Sequence, residues 1–258
     1  MRNIFKMDMY RLLHSKVLYV SLAFMLIMAV ALPWSGMSTD MSAMLGVASG
    51  AISMGDGDAF MGSMLGTGVV YVLLGIILTL FVCGDYAGGF AKNIFTVHSN
   101  PKEYIGGKML SIGLTSGIFL VFYTIASMVS LAVAGYGVAL TGGILGLVAF
   151  LIQKWLVSLA FIAVILLILL ATRNTAVGVI AGFLVATGGL TMGAVLFGQM
   201  LGITWISNIT TFFVSGAAQL PSLTFSVFTF LQVLLVSVAW IAGCFLLSQR
   251  ALLKKDVE

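Results

Sequence analysis

From Asn174 to Gln249 the chain carries no Asp, Glu, Lys or Arg, and the same is true from Met109 to Gln153. Each interval is longer than the roughly 20 residues that cross a bilayer as one helix. Each must therefore turn back on itself while keeping every backbone polar group paired, and in lipid only helices and closed barrels manage that. Composition leads the same way. The sequence is 61% hydrophobic and 8% charged, against about 25% charged for soluble domains, which leaves too little polar surface to cover a water-soluble globule. The expected fold is an all-α integral membrane protein, a single transmembrane domain over residues 1–258.

Apolar runs and turn residues give six expected spans: Val17 to Trp34, Leu65 to Gly84, Met109 to Ala134, Ala149 to Ala171, Thr175 to Phe197 and Leu223 to Leu247. Gly135-Tyr136-Gly137 and Thr141-Gly142-Gly143 mark the turn between the third and fourth, and Arg173-Asn174 a short turn between the fourth and fifth. Before the first span, Phe5, Met9, Leu12 and Leu13 recur at helical spacing, with Lys6, Arg11 and His14 available for the other side. That pattern suits an interfacial helix, and equally a charged flank to the first span. The segment from Gln199 to Ser222 is polar but uncharged, which suits short helices re-entering the outer leaflet and a candidate lid.

Six spans put both termini on one side, and every Lys and Arg except Lys154 then falls on that side. By the positive-inside rule that side is the cytosol, so the expected location is the cell membrane, multi-pass, with both termini cytosolic. The net charge of +4 reflects this topology, and no basic patch for nucleic acid follows from it. Lys154, beside Trp155 in the first turns of the fourth span, reads as a snorkelling side chain at the outer headgroups or as a contact on a substrate path. Cys83 and Cys244 imply no disulfide framework. Asp56-Gly57-Asp58 lacks the further oxygen ligands of a calcium loop, so no metal site is expected.

Reactive groups are missing from the spans. They hold no Asp, Glu or His at mid-membrane, which disfavours a proton relay, and Val214-Ser215-Gly216 has no membrane histidine to act as base. Gly106-Gly107-Lys108 falls short of a phosphate loop, because Met109 follows the lysine and Lys102 stands where the first glycine belongs. The chain is therefore not expected to be an enzyme, and no catalytic residue is assigned. The spans do carry small residues: Gly178, Gly182, Ala186, Gly189 and Gly193 form a helix-packing seam, within one subunit or between two.

Between the second and third spans lies the polar stretch Asp85 to Lys108. Phe90, Ile94 and Phe95 bracket Lys92 and Asn93 after Gly88-Gly89, so a short helix from Gly89 to Val97 would present an apolar knob. Such a knob fits a partner's groove; the same helix could also lie on the membrane surface with Lys92 toward lipid phosphates. The amphipathic start, six spans, this loop and the polar connector before the last span together resemble the membrane subunit of a type-2 ATP-binding-cassette exporter. Locally the resemblance rests on Asp85, Gly88-Gly89, Pro101 and Gly107-Lys108. It extends to the small stand-alone permeases of bacterial peptide exporters, of lantibiotic-immunity or phenol-soluble-modulin type.

The resemblance implies a permease with a cytosolic coupling helix, paired with a second copy of itself. A separate nucleotide-binding subunit would contact Gly89, Phe90, Lys92, Asn93, Ile94, Phe95 and Val97, and would hold the ATP and Mg that this chain has no motif for. The cargo would be hydrophobic or amphipathic, peptides included, and Phe119, Phe122, Tyr123, Lys154, Phe212 and Phe213 are candidates to line its path. A membrane scaffold or immunity protein that binds a partner without moving a substrate is the alternative.

Overall fold

The computed structural model describes residues 2–34, 68–89, 101–133, 143–201, 210–223 and 225–255. These form helices α1 (Arg2–Leu13), α2 (Lys16–Trp34), α3 (Val69–Ala87), α4 (Pro101–Val133), α5 (Gly143–Thr172), α6 (Thr175–Ala186), α7 (Gly189–Met200), a 3-10 turn at Thr210–Phe212, α8 (Val214–Ala217) and α9 (Val227–Lys255), with no strand among the described residues. α3, α4, α5 and α9 are each long and apolar enough to cross a membrane. Two bent pairs, α1 with α2 at 58° and α6 with α7 at 62°, raise the number of candidate spans to six if each pair is one span. The proposed outer loop with Asp56 and Asp58, the turn from Gly135 to Gly142, and the coupling-helix residues Phe90, Lys92, Asn93, Ile94, Phe95 and Val97 lie outside the described residues.

The helices run past the edges that charge had set. The third span was expected to begin at Met109, just after Lys108, yet α4 begins at Pro101, and proline at a first helical position gives up only an N–H that has no partner there. Lys108 can sit inside the helix because its charge is met by other helices rather than by water, as described below. α5 likewise starts at Gly143, well before the expected Ala149. This moves Lys154 from the first turns of a span to about three turns inside a helix that is about 45 Å long at 1.5 Å per residue.

The fifth expected span is the clearest departure. Thr175 to Phe197 is not one helix: α6 ends at Ala186, Gly188 adopts a left-handed φ of 73°, and α7 departs at 62°. A side chain at Gly188 would be strained in that conformation, so the glycine makes the break possible. At the other end of α6, the Arg173-Asn174 turn is as short as expected, and the Asn174 side chain caps the helix by accepting from Ala176 N at 2.9 Å, an ordinary N-cap.

α5 is the axis of the bundle. It packs along α9, α4, α3 and α6 and buries Phe150, Val157, Phe161, Ile165 and Leu169. α3 meets α6 through glycine: a Cβ on Gly182 would lie 3.4 Å from the Gly75 Cα, and one on Gly178 would run into Leu169 and Thr79. Gly178 and Gly182 are thus buried between helices of the same chain. Gly189 and Gly193 lie beyond the break and are exposed, with nothing within 4 Å of a Cβ on Gly193.

Candidate functional site

At one end of the bundle four ionised groups meet. α1 contributes Asp8 and Arg11, which share a helix face at three-residue spacing; α3 contributes Asp85 two residues before it ends; α4 contributes Lys108 two turns after it begins. Lys108 Nζ lies 3.0 Å from Asp8 Oδ1 and 2.5 Å from Asp85 Oδ2, and all three side chains are fully buried. Arg11 Nη1 donates to Asp85 Oδ1 at 2.7 Å and stands 3.9 Å from Asp8 Oδ1. Tyr104, one turn before Lys108, donates its hydroxyl to Asp85 Oδ2 at 3.4 Å. Phe81 closes the cluster from α3, its ring centroid 3.8 Å from Lys108 Nζ and 5.1 Å from the Arg11 guanidinium.

Two acids and two bases balance, which is the condition for burying charge at tolerable cost. The balance is not even, however. Burial pushes the Asp8 carboxyl above its ordinary value near 3.8, outweighing the opposing pull of Lys108, and Asp8 Oδ2 has no hydrogen-bond partner among the described residues. Asp85 is better served, with Arg11, Lys108 and Tyr104 all on its oxygens. Next to the cluster, in the elbow between α1 and α2, a cleft of about 230 Å³ is lined by Arg11, Leu12, Ser15, Val17, Ile77 and Phe81.

Geometrically the cluster is a clamp. Asp85 and Lys108 bracket the polar stretch that includes residues 90–100, and their ion pair brings its two ends together. α3 stops cleanly before that stretch: Gly88 N bonds back to Gly84 O and Gly89 turns left-handed at φ 69°, a glycine helix stop. The same end of the bundle holds the α5–α6 turn, where the Arg173 guanidinium lies 4.8 Å from the centroid of the Tyr86 ring. Asp85 and Lys108 were legible as the limits of the polar stretch. Their pairing, and the part played by Asp8 and Arg11, were not; the only hint was an acid and a base three residues apart on the first helix.

The path candidates divide differently. Phe119 and Tyr123 are fully buried on α4, within a face whose Ser and Thr hydroxyls bond back to carbonyls three or four residues earlier, the usual way such residues are satisfied in a helix. Phe122 is half-buried on that helix, and Phe212 and Phe213 are exposed on the connector. None of these five lines the described cleft. Lys154 is only 1% exposed, which rules out the snorkelling expected for it. Its Nζ donates to Ala218 O at 2.6 Å and lies 5.3 Å from the centroid of the Phe150 ring.

Among the described residues no group of three or more His, Cys, Asp or Glu is placed to hold a metal ion, and Cys83 and Cys244 are unpaired and buried. No protein-family model matches the chain, and no curated protein matches it.

Proposed function

We propose that the chain is the membrane subunit of an ATP-driven exporter. In this reading two copies form the pore, and each docks a separate nucleotide-binding subunit through the loop from Gly89 to Val97. ATP and Mg belong to that subunit; this chain binds, positions and moves. The cargo is hydrophobic or amphipathic, with amphipathic peptides the leading class, since the spans offer apolar and aromatic surface and almost no charge.

The observation that carries the reading is the clamp at Asp85 and Lys108. A coupling loop transmits force only if its two ends cannot slide independently. Here both ends are held to each other and to α1 through buried ion pairs. A push on the loop would then displace α3 and α4 as a pair, and α1 with them, instead of being absorbed by slack. On this view the N-terminal helix lies in the inner membrane interface and the clamp faces the cytosol.

The test is whether an ATPase encoded in a neighbouring reading frame assembles with this chain in proteoliposomes. Co-purification and cargo-stimulated ATP hydrolysis are expected, and both should be lost when Phe90, Ile94 and Phe95 are all changed to Ala. A triple variant that still docks and still drives export would overturn the docking assignment. Failure of the intact chain to bind any such ATPase would overturn the exporter reading itself.

A further inference from the structure

Lys154 lies about 16 Å along α5 from Gly143, about three turns into the helix, and its ammonium is enclosed. Its partners are a neutral carbonyl, Ala218 O, and the face of Phe150. Among the described residues no carboxylate pairs with it, in contrast to Lys108, which has two. A buried cation is expensive unless a negative group compensates it, and among the described residues the compensation is one peptide dipole and one aromatic face.

That peptide group belongs to the connector, which is also bonded to α9. Trp240, about 20 Å along α9 from Val227, donates its indole N–H to Phe212 O at 2.8 Å. The 3-10 turn and α8 are thus tied by one bond to α5 and one to α9. Beside Ala218 is a gap of about 10 Å³, lined by Val214, Ser215 and Ala218 of the connector and by residues of α3, α5 and α6 that include Tyr71, Val157 and Phe161. Withdrawing α8 would leave an apolar slot with an ammonium at its edge.

We infer that Lys154 is a binding site for the oxyanion of an amphipathic molecule, a carboxylate carried on an apolar tail, and that the Ala218 carbonyl holds its place when the site is empty. The incoming carboxylate takes the Lys154 ammonium from Ala218 O, α8 moves away, and the tail enters the slot between α3 and α5. Ala218 O offers the ammonium only a peptide dipole, whereas a carboxylate offers a full opposite charge in a site screened from water, so the exchange runs toward the carboxylate. The inference deepens the export reading by naming a group on the cargo. Its test needs neither ATP nor the partner subunit, so the two fail separately.

The probe is a thiol introduced by Ser215→Cys, with Cys83→Ala and Cys244→Ala removing the native thiols, in phosphatidylcholine nanodiscs. Labelling by a membrane-impermeant maleimide reports whether α8 has withdrawn. Dodecanoate should accelerate labelling at least about fivefold, whereas dodecanol and acetate at the same concentration should not. Adding Lys154→Met should give fast labelling with no response to dodecanoate, and Lys154→Arg should preserve the response. Equal acceleration by dodecanol would overturn the oxyanion site, and equal acceleration by acetate would overturn the amphipathic class. If Lys154→Met does not yield a folded protein, the dodecanoate and dodecanol arms on the lysine-containing chain still decide the matter. Slow labelling in a folded Lys154→Met chain would show that Lys154 does not hold the connector.

Discussion

Replacing Lys108 by Met keeps the volume of a buried side chain and removes its charge. Asp8 and Asp85 then remain buried with Arg11 as their cation among the described residues, 2.7 Å from Asp85 and 3.9 Å from Asp8. Breaking a buried pair by removing one partner costs about 3–5 kcal/mol, chiefly because the other charge is left uncompensated. Asp85→Asn alone should cost a similar amount, since Lys108 and Arg11 would then share the poorly satisfied Asp8. The double variant restores neutrality, with Asp8 and Arg11 left to pair. Its loss should fall short of the sum of the single losses by about 1.5–3 kcal/mol, within the range seen for residues in one network. Reversible denaturant unfolding in mixed micelles, followed by tryptophan fluorescence, would measure all three. Lys6→Met, on an exposed side chain of α1, serves as the control and should change stability by no more than about 0.5 kcal/mol. Additive losses in the double variant, or a Lys108→Met cost no larger than the control, would refute the clamp.

Asp8 should behave differently from Asp85. Its raised carboxyl pKa means that its contribution to stability is fully present below the ordinary value of 3.8 and is lost as pH rises through the folded-state value. Asp8→Asn should therefore cost at most about 1 kcal/mol at neutral pH and should remove a gain in stability that the parent shows on mild acidification; unfolding curves for the two chains across that pH range test this. Gly182→Leu should cost about 1–3 kcal/mol through overpacking against Gly75, while Gly193→Leu should cost almost nothing in the monomer. A large cost at Gly193, seen as loss of dimer by size-exclusion chromatography with light scattering, would place the glycine seam between copies.

The positions of the helices were legible because the apolar runs are long and sharply bounded, and the Arg173-Asn174 turn because two polar residues interrupt hydrophobic sequence. Charge misled at the boundaries. Reading Lys108 as the edge of a span assumes that water meets its charge, whereas Asp8 and Asp85 meet it. For Lys154 the same assumption gave a snorkelling side chain, when the helix in fact begins two turns earlier and a carbonyl far along the chain reaches the ammonium. The break at Gly188 was hidden in a glycine periodicity that reads equally well as a packing face; only the backbone conformation separates a glycine that lets helices approach from one that turns the chain. Pairings such as Lys108 with Asp8 depend on how helices are set beside each other, which no local pattern encodes.

Clamp and connector sit in different parts of the bundle, yet a short set of contacts joins them. Lys108 is on α4; five residues further along the same helix, Gly113 O accepts the Trp155 indole N–H from α5 at 2.8 Å, and the hydroxyls of Ser116 and Ser158 lie 2.9 Å apart across the same pair. Trp155 adjoins Lys154, whose ammonium holds Ala218. These contacts form a continuous route from α4 at the clamp to the connector, through two helices joined by side-chain bonds. Proximity alone does not establish coupling, but the contacts make it measurable. In the complex with the ATPase, ATP binding should change the labelling rate of the thiol in the Ser215→Cys chain. Trp155→Phe together with Ser158→Ala should abolish that change while leaving docking intact, because the loop is untouched. If ATP still alters labelling in that variant as strongly as in the parent, the signal does not pass from α4 to α5 at these contacts, and the α3–α6 crossing at Gly75 and Gly182 becomes the route to examine.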